Sequence, residues 1–422
     1  MKTAITNVLA RRIWDSRGRP TVEADVTLAG GAQGRGVAPA GASRGSNEAV
    51  DLRDGGALLD GYDVRGAVAA VNGEIAALLQ GRDACDQTAI DAALIALDGT
   101  PNKSRLGGNA LIATSLAVLH AAAAAQGMPL WRYLAGDRPV TLPLPEIQIF
   151  GGGAHAGGRV DVQDFLIMPL GAASFDEALV MTSNVYRAAG VLMAERGPLC
   201  GVADEGGWWP DFDSNEAALE TLTRAIDRAG YRSGEVAIAL DIAASEFGRN
   251  GRYRLALENR EYDSDAWIEQ LLRWLERYPI RSIEDPLGED DTAGMIAFTR
   301  AAGGRVQIIG DDYLVTNAAR VVAAHRDGAC NAVLIKPNQA GTVTETCAAL
   351  EAGTAAGFGT IVSARSGETE DVAIAHLAVG WNARQIKVGS FTRSERMAKW
   401  NELLRIEETS GAPFAGASGL PV

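Results

Sequence analysis

VAIALD (236–241), RSIED (281–285), VQIIGDD (306–312), AVLIK (332–336), GTIVSAR (359–365) and RQIKVG (384–389) are short apolar runs that each end in a charged or small residue. The first positions after the runs, Asp241, Glu284, Asp311, Lys336, Ala364 and Lys387, lie 43, 27, 25, 28 and 23 residues apart. Most of these gaps hold one strand and one helix, so the stretch predicts repeating βα units and an α/β fold closed into a parallel barrel. On such a barrel the functional groups stand at the C-terminal ends of the strands.

Upstream the rhythm differs. TVEADVTL (21–28) alternates polar and apolar residues, the pattern of a half-buried strand, and glycine-rich GGAQGRG (30–36) and PAGASRGSNEA (39–49) follow as turns. AVAAVNGEIAALL (67–79), TAIDAALIALD (88–98) and NALIATSLAVLHAAAAA (109–125) then repeat at helical spacing. VTLPLP (140–145) reads as the exit, because its prolines discourage helix. The expected organisation is an N-terminal α+β domain over residues 1–140 and a barrel domain over 141–422.

The chain has 422 residues and a net charge of −14, with 53 Asp+Glu against 39 Lys+Arg. Phosphate backbones are bound by clustered cations, so a nucleic-acid partner is not expected. Only five of the cations are lysines, which makes any lysine at a strand end informative. Cys85, Cys200, Cys330 and Cys347 lack metal or disulfide spacing and read as buried thiols. Arg11 and Arg12 stand where a secretory leader needs apolar residues, so a cytoplasmic enzyme is expected. The apolar stretch 110–130 carries Thr114, Ser115, His120 and Gln126 and reads as a packed helix, with no membrane partner expected.

Asp241, Glu284 and Asp311 end three consecutive predicted strands, where they can converge. An all-oxygen donor set suits a hard cation, Mg²⁺ before Zn²⁺. Lys336 and Lys387 follow from the next part of the barrel, and lysine, unlike arginine, can be tuned to act as a base. A base beside metal-binding carboxylates suits removal of a proton next to a carboxylate. Glu205, in the DEGG turn 204–207, is the candidate acid for a departing hydroxyl.

With these residues in place, the chain resembles the enolase family from end to end. DSRGRPTVEADV (15–26), GASRG (41–45), LDGTPNKSRLGGNA (97–110), GGGAHAGG (151–158), DEGG, ALDIAASEF (239–247), SIEDPL (282–287), GDD (310–312), LIKPNQAGT (334–342), RSGETED (365–371) and RSER (393–396) stand in the family's order. The resemblance implies an enolase-type β/α barrel capped by the α+β domain, two Mg²⁺ ions, a small phosphorylated carboxylic acid as substrate and a homodimer. It implies Asp241, Glu284 and Asp311 as ligands of one Mg²⁺, with Ser43 of a closing lid helping to hold the second. It implies Lys336 as base, Glu205 as acid, Lys387 as a contact to the substrate carboxylate, Arg365 and Ser366 as phosphate contacts, and His155 and Gln163 lining the pocket.

The departures from the family pattern fall where the chemistry is expected. A pocket histidine is replaced by Ala364, and a glutamate beside the acid is shortened to Asp164. The lid carries Arg44 and has Asn47 at a histidine position, while Trp208, Trp209, Pro337 and Val388 are further changes. Retained base and metal positions with an altered pocket lead to an expectation of conserved elimination chemistry on a different substrate. Arg44 is expected to return positive charge to the space left at Ala364 and meet an added anionic group, as on a phosphonate analogue. Ordinary dehydration of 2-phosphoglycerate and a non-catalytic binding protein are the two alternatives.

Overall fold

The computed structural model describes residues 1–422. Strands β1 (Ile5–Trp14), β2 (Pro20–Leu28) and β3 (Gln33–Val37) form an antiparallel meander. The alanine-rich helix Gly108–Ala125 lies on β2 and β3. The sequence arranges this approach directly: a Cβ on Gly34 of β3 would stand 2.1 Å from Ala121 N, and one on Gly36 would stand 2.4 Å from Ala113 O. Only glycine on the strand and alanine at fourfold spacing on the helix let the two backbones meet. This 18-residue helix is apolar enough to cross a membrane by composition, yet 83% of it is buried inside the fold. It therefore serves as the core of the N-terminal unit.

The barrel strands are β4 (Leu144–Gly151), β5 (Asp164–Met168), β6 (Ala237–Asp241) and, after a small antiparallel sheet of β7 (Gly248–Arg249), β8 (Arg252–Leu255) and β9 (Arg260–Asp263), the strands β10 (Ile280–Glu284), β11 (Gln307–Gly310), β12 (Ala332–Ile335), β13 (Gly359–Ser363) and β14 (Gln385–Ser390). They close in the order β10-β11-β12-β13-β14-β4-β5-β6. The closed α/β barrel agrees with the sequence reading, but the expectation of an all-parallel barrel needs correction. Strand β5 runs antiparallel to both β4 and β6. Between β4 and β5 the chain makes only the short turn Gly153–Ala156 and no crossover helix, so it must come straight back. As a result the N-terminal residue of β5, Asp164, lies level with Gly151 and Asp241 at the mouth.

Below the mouth, Glu146 of β4, Ser282 of β10, Gln307 of β11 and Gln385 of β14 form a buried polar layer. Gln307 Nε2 donates to Glu146 Oε1 at 3.1 Å and to Gln385 Oε1 at 2.9 Å. Burial pushes the Glu146 carboxyl up to about 7, against the opposing pull of the Lys387 charge. The expectation of four buried thiols also needs correction: Cys330 is buried, Cys85 and Cys347 are half-buried, and Cys200 is exposed. Cys200 follows Pro198 and Leu199 in the loop after helix Phe175–Arg196, where there is no core to cover it.

Candidate active site

The ring order brings together side chains far apart in sequence. Strand β12 stands across the barrel from β5, and β14 stands across from β10. Lys336, directly after β12, thus faces Asp164 on β5, and Lys387 on β14 faces Glu284 on β10. Ser43, His155, Gln163, Asp164, Glu205, Asp241, Lys336, Ala364, Arg365, Ser366 and Lys387 line one cavity at the mouth, joined by Ser363, Val388 and Gly389. Glu284 and Asp311 are buried just beyond it, held by the two lysines.

Lys387 Nζ donates to Asp241 Oδ2 and Glu284 Oε2, both at 2.7 Å, and Lys336 Nζ is hydrogen-bonded to Asp311 Oδ2. Burial, the largest influence, would lower the Lys336 ammonium, but the charges of Asp311 and Glu284 together raise it. In this arrangement Lys336 holds its proton, so work as a base requires release of Asp311. Burial, reinforced by the Asp241 charge, holds the Glu284 carboxyl well above its ordinary range. The oxygens of Asp311 lie within 4.8 Å of those of Asp285 and Asp312, whose carboxyls are pushed up to about 8 and about 9 by burial first and the Asp311 charge next.

These residues fit a hard divalent cation on two grounds. Glu284 Oε1, Gln163 Oε1 and Asp164 Oδ2 are buried acceptors with no hydrogen-bond partner, an unfavourable condition that a cation relieves. The ligand atoms of Asp241, Glu284 and Asp311 are all oxygens, which suits Mg²⁺, while a second group at the mouth adds the His155 nitrogen to Asp164 and Glu205. The three predicted ligands do not form one separate cluster, however, because Lys387 stands between Asp241 and Glu284 while Lys336 takes Asp311.

Across the cavity, His155 Nδ1 lies 3.0 Å from Asp164 Oδ1 and its Nε2 lies 3.7 Å from Glu205 Oε1. Burial lowers this imidazole, but the two carboxylates more than reverse the effect and bring it to about 9. The carboxylates diverge. Burial raises Asp164, whereas for Glu205 the charges of His155, Arg396 and Lys387 outweigh burial and lower it. Such a split is how one site holds a proton on one group and a charge on its neighbour. The DEGG turn is held from several sides: Gly207 N donates to Gln148 Oε1 at 2.8 Å, and Tyr186 and Thr392 hydroxyls donate to Gly206 O at 2.9 and 2.7 Å.

The lid crosses the mouth at Arg365. Its Nη1 donates to Glu48 Oε2 at 3.0 Å and Asn338 Oδ1 at 3.1 Å, and its Nη2 donates to Ser43 O at 2.9 Å. A Cβ on Gly41 would lie 1.9 Å from Nη2, so the lid passes this close only as glycine. Ser366 Oγ accepts from Ala42 N at 2.7 Å. The backbone carbonyls of Arg365 and Ser366 are in turn held by the buried Arg396.

Arg44 is a correction. Its guanidinium pairs with Asp51 at 2.9 Å on an exposed part of the lid and does not line the cavity. The nearer carboxylate wins, and the space at Ala364 receives no charge from it. Asn47 also stands outside, in an open cleft of about 1230 Å³ bordered by Arg249, Arg252 and Arg254. Sequence reasoning missed Glu48, Gln148, Gln339 and Arg396. Glu48 and Gln339 lie in quoted motifs and were readable as polar residues beside a site, but Gln148 sits within an apolar strand and carries no local signal.

Comparison with protein families agrees with this architecture. Residues 139–420 match the family model described as the enolase C-terminal TIM barrel domain, and residues 5–134 match the enolase N-terminal domain. The two matches take in the barrel, its mouth and the lid that covers it, and the chain belongs to the enolase family.

Proposed function

We propose that the protein is a Mg²⁺-dependent hydro-lyase that removes the α-proton of a 2-phosphoglycerate-like acid and expels water. The observation that carries this reading is the placement of Lys336 and Glu205 around one cavity with Asp164 opposite the lysine. Elimination needs a base at one carbon and a proton donor at the next. Lys336 takes the α-proton. Glu205 passes a proton to the departing hydroxyl, with the His155 imidazolium beside it as the local reserve. Lys387 offers positive charge to the substrate carboxylate, while Arg365 and the Ser366 hydroxyl, which line the same cavity, would bind its phosphoryl end. Asp241, Glu284 and Asp311 would hold Mg²⁺ with Ser43 at a second ion, and bound Mg²⁺ would stabilise charge developing on the substrate carboxylate.

Within this class we favour a substrate with an enlarged anionic end. Ala364 stands in the cavity wall where the family pattern has a larger histidine, and Val388 offers no polar atom there. A concrete candidate is 2-phosphonoformylglycerate: loss of its α-proton and hydroxyl as water gives carboxyphosphonoenolpyruvate, a step in phosphonate natural-product biosynthesis. Dehydration of 2-phosphoglycerate to phosphoenolpyruvate is the second reading, favoured by the pairing of Arg44 with Asp51, which removes one expected partner of an added anion. A cytoplasmic homodimer is the proposed working form.

The test is Mg²⁺-dependent turnover of both acids, followed by the absorbance of the enol product. Turnover of the phosphonoformyl acid well above that of 2-phosphoglycerate is expected. The reverse order assigns the ordinary enolase reaction. Absence of turnover and of α-proton exchange with either acid replaces the enzyme reading with a binding protein.

A further inference from the structure

Two consecutive β-branched residues after β11, Val315 and Thr316, have φ of +46° and +51°. Both are buried, at 3% and 2% exposure. Left-handed backbone is unfavourable for any residue with a Cβ and most of all for a branched one, so each is held there by its surroundings. Glycine would take either position without strain. The turn instead keeps a threonine and directs its hydroxyl inward.

That hydroxyl sits at a junction. It donates to Gln339 Oε1 at 2.6 Å and accepts from the backbone N–H of Lys336 at 2.9 Å. With its oxygen engaged, the Gln339 amide must turn its nitrogen the other way. Gln339 Nε2 donates to Asp311 Oδ1 at 2.8 Å and to Glu48 Oε1 at 3.3 Å. Glu48 also accepts from the lid at Gly45 N, at 3.0 Å, and binds Arg365. A single side-chain amide therefore touches a carboxylate of the metal site and a carboxylate of the lid, with the threonine hydroxyl on its oxygen.

We infer that Thr316 and Gln339 are positioning residues that couple lid closure to the metal site and the base, with the Thr316 hydroxyl setting the orientation of the Gln339 amide. Hydrogen-bond partners behind a metal ligand orient it, and their loss weakens metal binding by about 10- to 100-fold. Without the hydroxyl, the Gln339 amide loses its anchor on the oxygen side, and its Nε2 no longer holds Asp311 and Glu48 in one fixed arrangement. The coupling rests on the reading of Asp311 as metal ligand and Lys336 as base.

Thr316→Gly separates positioning from simple structural support, because it relieves the strain while removing the hydroxyl. The expected result is a Mg²⁺ dissociation constant about 10- to 100-fold higher by isothermal titration calorimetry in protein that remains folded. Thr316→Ser should restore Mg²⁺ affinity, and Gln339→Leu should reproduce the loss. Wild-type Mg²⁺ affinity in Thr316→Gly and Gln339→Leu, each folded by circular dichroism, would overturn the coupling. Failure of the wild-type protein to bind Mg²⁺ at all would instead overturn the metal reading on which it stands.

Discussion

Lys336 and Ala364 carry the most direct consequences at the scale of single residues. Lys336 is the group placed to take the α-proton, so Lys336→Ala should abolish solvent exchange of that proton and lower kcat by about 10²-fold or more. Exchange measured by NMR at the wild-type rate would remove it from the base role. Ala364→His returns a ring to the cavity wall and should raise turnover of 2-phosphoglycerate by about tenfold while lowering that of the phosphonoformyl acid. No change in the ratio would place the selectivity elsewhere, with Asp164 next in line. Lys336 was legible because a polar residue directly after an apolar run is a local feature, whereas Ala364 stood out only against the family pattern. Arg44 was misread because a flexible cation chooses between partners, and Asp51, seven residues further along the chain, takes it.

Among the elements, β4 has the most unusual burial. Glu146 lies inside the barrel with a carboxyl raised from 4.5 to about 7, so between these values the folded protein keeps a proton that the unfolded chain has lost. Stability therefore falls as pH rises through this window, by about 3 kcal/mol once pH exceeds the folded value. Glu146→Gln keeps an acceptor for Gln307 without the charge. It should raise the urea midpoint at pH 8 while leaving it nearly unchanged at pH 4.5, and an equal effect at both would show that the carboxylate carries no burial penalty. The reversed direction of β5 belongs to this scale too. DFLIM has the same apolar character as the parallel strands, and nothing within five residues distinguishes strand direction.

Across the whole molecule, the two domains are tied by buried polar groups as well as apolar packing. Asp91, fully buried on helix Gln87–Asp98, accepts from Ser115 Oγ at 2.6 Å and from Thr344 N and Oγ1 of the barrel at 2.9 and 2.6 Å. Asp91→Ala strands these donors and should cost about 2–4 kcal/mol in urea unfolding, with Asp91→Asn costing less. A loss below about 0.5 kcal/mol would mean that water or a shifted helix replaces the carboxylate. The tie matters for function because the lid residues Ser43 and Glu48 come from one domain and Arg365, Gln339 and Lys336 from the other.

The sequence by itself determined the βα repeat, the strand-end carboxylates and lysines and the family, since each depends on residue type at fixed spacing. The structure corrects one glycine-rich turn: Gln33–Val37 is strand β3, and its Gly34 and Gly36 meet the alanines of helix Gly108–Ala125. Only the tertiary structure decided that β5 turns back to bring Asp164 to the mouth, that Arg44 faces Asp51, and that a strained Thr316 orients Gln339 between metal site and lid. Those outcomes depend on how the folded backbone sets side chains against one another, and a hydrogen bond or ion pair goes to whichever partner folding brings within reach.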